Sequence, residues 1–349
     1  MSELRYNYLK DSWTVIAVER ARRPHDYSTH IYEEYGDIKK CPFEPGNESK
    51  TPPEIFAIRE PGTAPNTPGW KVRVIPNKYP ALRIEETDKK DFYFIYDKAG
   101  GFGAHEVIID TPDHYKHIQD FSIEELNYLY TAFKERISSL YKDIRIKYVH
   151  VFKNHGKDAG KSLVHSHSQL IALSQIPKQP DTIISQSRKH YREKGRCYTC
   201  DEIKAELLDG SRLVYENEEF LVFCPYASFY PFEIKIVSKK HYHDFTQIDN
   251  KVMTLLSDAT QQAVRRLHKA LVNPPFNMIL YTSPPIRDNE KDPDYFYNMD
   301  KFFHWYIEIL PRIAIHAGFE LGTHYYINPT PPEDAAKYLR EVSNSCYKV

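Results

Sequence analysis

The chain carries its own plan twice. The segment HEVIIDTPDHYKHIQDFS (105–122) resembles FEIKIVSKKHYHDFTQI (232–248). With Glu106 set on Glu233, His114 falls on His241, both at a separation of 127 residues. Each copy leads into a long helical pattern, then a strand (147–152 or 277–281), then a His-led strand, HSHSQLIAL from His165 or HWYIEIL from His304. That last separation is 139, so the loop before His304 is the longer one. A repeat of this length constrains folding more than composition does, because two copies of one supersecondary plan bury their apolar faces in the same way. Two consecutive halves are expected, not two unrelated domains.

Further strand-like runs fall at 13–18, 70–75, 105–110, 165–173, 221–223, 232–237 and 304–309, rich in Val, Ile, Tyr and Phe and bounded by Pro, Gly, Asn or Asp. Ser122 with Glu125 three residues on is a capping box, and predicts a helix running to about Leu140. Asp249 caps a second, running to about Val272, where Pro274 and Pro275 stop it. The Pro-rich stretches 42–69 and 283–300 read as long loops.

The formal net charge of -1 gives no reason to expect a polyanionic partner such as nucleic acid. The opening MSELRYNYLK has no apolar run, and no stretch approaches the length of a membrane span, so neither a signal peptide nor membrane association is expected. Five cysteines (41, 197, 200, 224 and 346) are an odd and sparse set, which favours metal binding or inert thiols over a disulfide framework and a cytoplasmic setting.

His165, His167 and Gln169 alternate along a strand pattern and should share one face. Val164 and the run 170–173 make that strand half-buried, where polar side chains need a reason. An imidazole that attacks, a neighbour that orients it and an amide that donates to phosphoryl oxygens suit nucleotidyl transfer, because histidine is nucleophilic near neutrality and also leaves readily. A polar strand facing solvent is the plainer alternative. Upstream, KNHGKDAGKS (153–162) ends like a phosphate-binding P-loop. Gly156 to Gly160 encloses three residues where that loop needs four, and a strand follows in place of a helix. A glycine turn presenting backbone N–H groups, Asn154 and Ser162 to phosphates is expected instead. AGGFGA (99–104) reads as a turn before a strand.

HxHxQ after an N-x-G loop, with RxxRP near the N-terminus, resembles the galactose-1-phosphate uridylyltransferase family of the histidine-triad superfamily. The resemblance runs from RYNYLKDSWTVIAVERARRP to GFELGTHYYINPTPPEDAAKYLREV. It implies that His167 becomes nucleotidylated in a ping-pong cycle and that the carbonyl of His165 orients its ring. It also implies phosphate contacts from Gln169, Asn154, Ser162, Arg20 and Arg23, a nucleotide contact from Asn77, and sugar contacts from Phe319 and Glu320. Lys78 stands where the bacterial uridylyltransferases usually have Asp.

CYTC (197–200) supplies half of a tetrahedral zinc site, and the repeat supplies the rest as His241 and His304, with His243 as competitor to His241. The same plan in the first half gives Cys41, Glu44, His114 and His165, with Glu44 where the family commonly has a second Cys. A carboxylate is a harder, less discriminating ligand than a thiolate, so this site should hold zinc more weakly, hold another divalent ion, or stand empty. Tyr306 and Glu308 occupy the places of His167 and Gln169. A phenol titrating near 10 is a poor substitute nucleophile, so one active centre per chain is expected.

The reading is an α+β protein of two tandem histidine-triad-like halves, antiparallel sheets with packed helices, the catalytic half spanning 1–178 and the other 179–349. The activity expected is transfer of UMP from UDP-glucose to galactose 1-phosphate, with a nucleotide sugar and a sugar 1-phosphate as ligands and a homodimer as the assembly. The segment GTHYYINPTPPED and the cysteine-based second metal site also resemble the ADP-glucose phosphorylase branch, which passes AMP to inorganic phosphate. A hydrolase and a non-catalytic metal-stabilised binding protein are the alternatives of other classes. The first is disfavoured because Gln169 cannot assist water as a third histidine would.

Overall fold

The computed structural model describes residues 2–17, 19, 38–287 and 295–344. In the first half the chain forms β1 (Glu3–Asn7), β2 (Ser12–Ile16), β3 (Phe56–Arg59), β4 (Trp70–Pro76), β5 (Lys90–Tyr93), β6 (Tyr96–Ala99) and β7 (Gly103–Ile109). Helix α1 (Ile123–Leu140), β8 (Tyr148–His155), β9 (His167–Leu173) and α2 (Lys178–Lys194) follow. The second half holds α3 (Tyr198–Asp209), β10 (Leu213–Glu216), β11 (Phe220–Phe223), β12 (Ile234–Ser238), α4 (Asn250–Leu271) and β13 (Phe276–Tyr281). It ends with α5 (Met299–Phe302), β14 (Tyr306–Pro311), α6 (Gly318–Thr323), β15 (Tyr326–Asn328) and α7 (Pro332–Asn344).

Ten strands make one antiparallel sheet in the order β10-β11-β12-β14-β13-β8-β9-β7-β4-β3. Read from either edge inward, the order is the same plan: β10 answers β3, β11 answers β4, β12 answers β7, β14 answers β9 and β13 answers β8. The repeat seen in sequence is thus a two-fold relation in space, and the halves join where β13 pairs with β8, Asn277 opposite Asn154. The long helices start where their caps predict. The Ser122 side chain accepts from the Glu125 N–H while Glu125 returns to the Ser122 N–H, and Asp249 accepts from the Val252 N–H. Helices α1 and α4 lie together over one face of the sheet, tied by Tyr130 to Thr260 at 2.6 Å and by Ser257 to Asn127 at 2.7 Å. Their apolar sides and the strands beneath form the main core. A smaller cluster of Cys41, Phe43, Trp70, Ile75, Val107 and Ile109 packs on the opposite face of the first half.

A separate three-stranded sheet, β1-β2-β15, brings the N-terminal hairpin beside the chain's end, with β2 and β15 parallel. Helices α2, α3 and α7 were not anticipated from the sequence. The stretch 42–69 is not all loop, since β3 pairs with β4 there. No helix among the described residues is long and apolar enough to cross a membrane.

Candidate active site

Strand β9 lies between β7 and β8. Its alternation turns Leu170 and Ala172 into the helix-covered core and His167 and Gln169 to the other face. There the two line a cavity of about 410 Å³ with Asn77, Lys78 and Ser162, walled by Phe43, Ile75, Val107 and Leu163. His165 is not among the residues that line this cavity. The β7–β9 register ends at Ile109 opposite His167, so His165 precedes the strand, and its ring joins Cys41, Glu44 and His114. What His165 offers the cavity is its carbonyl.

That carbonyl lies 2.9 Å from His167 Nδ1. A carbonyl only accepts, so Nδ1 carries the proton and Nε2 keeps the lone pair. Burial pushes the His167 imidazole below the ordinary histidine range, the Lys153 ammonium adds to this, and the bond to His165 opposes it. The ring is neutral near pH 7 with one nucleophilic nitrogen. Phe43 holds it edge-on, with ring centroids 5.5 Å apart.

Beneath His167 lies a network that the sequence reading missed. Lys153 Nζ, on β8, is 2.5 Å from Asp110 Oδ2, 2.8 Å from Ser166 Oγ and 3.2 Å from the His167 carbonyl. It staples β7, β8 and the start of β9 together. A lysine inside a core-facing strand pattern was the available signal. His105 was missed as well: its Nε2 is 2.9 Å from Gln169 Oε1.

The glycine turn after β8 contains a single 3-10 turn, Lys157–Ala159, and no P-loop helix. Gly156 and Gly160 have φ of 80° and 85°, a region costly for other residues, and a Cβ on Gly156 would meet Pro275 at 2.9 Å. Asn154 supports this turn: its Oδ1 accepts from Asn277 at 2.8 Å and its amide reaches the Gly160 carbonyl. Ser162 lines the cavity, and Asn154 is not among its lining residues. Arg20 and Arg23 lie outside the described residues.

Both expected metal groups converge. Cys197, Cys200, His241 and His304 place one ligand atom each within 4.8 Å of one another, as do Cys41, Glu44, His114 and His165. His241, not His243, takes the place in the first of these. Its Nε2 donates to the Asp300 carbonyl at 2.9 Å, which leaves the Nδ1 lone pair facing Cys200 Sγ at 3.3 Å. His304 Nε2 is 2.8 Å from Ser238 Oγ while Nδ1 lies 3.6 Å from the same sulfur. In the other group His165 Nε2 donates to the Thr111 carbonyl at 2.7 Å, and its Nδ1 faces Cys41 Sγ at 3.7 Å and Glu44 Oε2 at 3.6 Å. Outer partners that fix the tautomer and aim the lone pair inward are the hallmark of a metal ligand set.

At the second half's counterpart of the cavity, Tyr306 and Glu308 stand on β14, and the N-terminal hairpin narrows the space to about 40 Å³. Lys10 Nζ reaches Glu308 at 2.9 Å and Glu233 at 3.5 Å. Phe319 and Glu320 sit on α6, and neither is among the residues lining the His167 cavity. Glu320 caps its own helix, accepting from the Ala317 N–H at 2.9 Å.

The chain is similar to known proteins over nearly its whole length. The profile described as galactose-1-phosphate uridyl transferase, N-terminal domain, matches residues 1–177, and one described as a domain of unknown function (DUF4921) matches 102–344. ADP-glucose phosphorylase of Arabidopsis thaliana is 32% identical over 344 residues, 98% of this chain and 93% of that protein. Galactose-1-phosphate uridylyltransferase of Thermotoga maritima is 27% identical over 353 residues, 98% of each. A crystal structure of an Arabidopsis thaliana ADP-glucose phosphorylase with bound ADP-glucose superposes with a TM-score of 0.82 at 31% identity, covering 99% of this chain and 100% of that one.

Proposed function

The chain belongs to the galactose-1-phosphate uridyl transferase family, and from that premise we propose that it moves UMP from UDP-glucose to galactose 1-phosphate through a nucleotidyl-His167 intermediate. The observation that carries this reading is the bond from His167 Nδ1 to the His165 carbonyl, which leaves Nε2 as the nucleophile beside a ligand-sized cavity. Nε2 attacks the α-phosphorus of UDP-glucose. A P–N bond forms, the bond to the bridging oxygen breaks, and glucose 1-phosphate departs with that electron pair. A phosphate oxygen of galactose 1-phosphate then attacks the same phosphorus, the P–N bond breaks, and UDP-galactose leaves with His167 neutral again. The His165 carbonyl holds the ring and stabilises its Nδ1–H as positive charge develops. The Gln169 amide and Ser162 hydroxyl donate to phosphoryl oxygens, and Asn77 holds the nucleotide. On the resemblance alone, Arg20 and Arg23 add positive charge, Asn154 acts through the glycine turn, and Phe319 and Glu320 contact the sugar.

A second reading, transfer of AMP from ADP-glucose to inorganic phosphate, is favoured by the relative at 32% identity and by the superposition on an ADP-glucose complex. Incubation with UDP-glucose and with ADP-glucose in separate tubes, followed by intact-protein mass measurement, decides between them. The adduct mass identifies the nucleotide, and peptide mapping should place it on His167. An adduct from neither donor would end both readings.

Two zinc ions fit the ligand sets, one on Cys197, Cys200, His241 and His304, and a more weakly held one on Cys41, Glu44, His114 and His165. Bound there, each would serve as a structural cross-link, the second fixing the segment that carries the His165 carbonyl. The division into a catalytic half (1–178) and a half without the nucleophile (179–349) follows the mirrored strand order. A homodimer fits two observations: α6 contributes no residue to the lining of its own chain's His167 cavity, and it exposes Phe319 and Leu321, with exposed Ile315 just before it. Unpaired thiols at Cys41, Cys197, Cys200 and Cys224 suit a cytoplasmic enzyme.

A further inference from the structure

Gln169 can serve a phosphate only in one of two orientations. Its amide is a donor on one side and an acceptor on the other, and turning it over would set a carbonyl dipole against an anion. Something must choose. His105, at the start of β7, lies in the wall between the His167 cavity and a neighbouring cavity that shares Asn77 and Lys78. Its Nδ1 is 3.1 Å from the main-chain N of Ala81. A backbone N–H only donates, so Nδ1 is the acceptor and the imidazole proton sits on Nε2. Two side chains approach that nitrogen: Gln169 Oε1 at 2.9 Å and Asn77 Nδ2 at 3.1 Å. The Asn77 orientation is settled elsewhere, because its Oδ1 accepts from the Tyr79 N–H at 2.9 Å. The Nε2–H therefore goes to Gln169 Oε1.

We propose that His105 is a positioning residue that, held as the Nε2–H tautomer by the Ala81 N–H, locks the Gln169 amide with its amino group toward the phosphoryl oxygens. The inference rests on the functional reading above and deepens it. Two loop amides, at Ala81 and Tyr79, set the tautomer of His105 and the amide of Asn77, and through them the donor offered at the site of transfer. A flipped Gln169 would face His105 with donor against donor, so the lock is also a penalty on the wrong orientation.

The test is a double-mutant cycle on the full chain. The rate of His167 nucleotidylation is measured in single turnover with UDP-glucose and with ADP-glucose. His105→Phe should slow nucleotidylation about 10- to 100-fold, the scale of one lost charge-assisted hydrogen bond, with less effect on donor KM. His105→Gln, whose amide nitrogen reaches the place of Nε2, should recover part of the rate. In a Gln169→Ala background the same His105→Phe change should cost less than about twofold, because the group it positions is gone. Losses that multiply across the two sites would overturn the inference, and so would a wild-type rate in His105→Phe. If His105→Phe does not fold, as read by thermal melting, the cycle is run with His105→Asn. A wild-type chain labelled by neither donor would sink the functional reading and this inference with it, whereas a labelled wild type with an additive cycle sinks this inference alone.

Discussion

Lys10 meets Glu308 at 2.9 Å in the second half, at the place where Gln169 faces the cavity in the first. The same ammonium is 3.5 Å from Glu233, the counterpart of Glu106. In the first half Glu106 is held bidentately by Arg136 of α1, at 2.7 and 2.8 Å. One half keeps its cleft open and neutralises its glutamate from the helix side. The other closes the cleft with a lysine from the N-terminal hairpin. Removing that lysine strands two buried carboxylates, so Lys10→Met should cost about 3–5 kcal/mol of stability at pH 7. Urea unfolding measures this. A loss under about 1 kcal/mol would show that the cluster is hydrated and the plug unimportant.

The covalent step makes the strongest demand on a single atom. His167→Ala should abolish the nucleotidyl adduct and lower turnover by about ten-thousand-fold or more. Retained turnover at a tenth of the wild-type rate would mean that the acceptor attacks the donor directly.

Gln169→His places a second imidazole by the transferred phosphorus, where it can assist water. The ratio of free nucleoside monophosphate to transferred product should rise in this variant. Chromatography of the products reads the ratio, and an unchanged partition contradicts the role given to the amide.

The metal groups differ in one ligand, Glu44 against a cysteine, and this should be visible in metal analysis. Elemental analysis of protein exposed to graded chelator should show loss from the Glu44 site first. Cys200→Ser should remove one equivalent and lower the melting temperature, since a structural zinc of this type can contribute on the order of 10–16 kcal/mol to local folding. Glu44→Cys should make the two sites equally resistant to chelator. No bound metal in the untreated wild type would overturn the assignment.

His155 supplies a pH dependence away from both metal groups. Burial pushes its imidazole down to about 3, while its bond to Asn273 at 2.8 Å opposes the shift. The unfolded chain binds this proton near pH 6.5 and the folded chain does not. Stability from this group is therefore complete above 6.5 and falls as pH drops toward 3, by about 1.4 kcal/mol per pH unit. His155→Gln, which cannot titrate, should show a shallower acid limb, differing from wild type by about 2 kcal/mol at pH 5 relative to pH 7. Parallel curves for the two proteins would contradict the assignment.

Much of the architecture was legible along the chain. The match of His114 to His241 gave the mirrored halves, Ser122 and Asp249 marked both long helices, and CYTC with the repeat named a ligand set that converges in space. Each of these rests on spacing, and spacing in a helix or strand maps directly onto direction. The partners of His105, Lys10 and Lys153 could not be read in this way. Gln169 is 64 residues from His105, and Glu308 is far beyond Lys10 in the chain. They meet only because the sheet brings β7 beside β9 and a separate hairpin against β14. His165 shows the boundary between the two kinds of information. Its place two residues before His167 was plain, but whether it gave the site a ring or a carbonyl depended on its ring meeting Cys41, Glu44 and His114, which come from distant parts of the chain. The amino-acid sequence by itself determined the repeat, the candidate nucleophile and the types of the candidate ligands, because these are local chemistry. Tertiary structure decided which atom of each residue faces the cavity, because long-range pairing sets the register and burial that select tautomer and orientation.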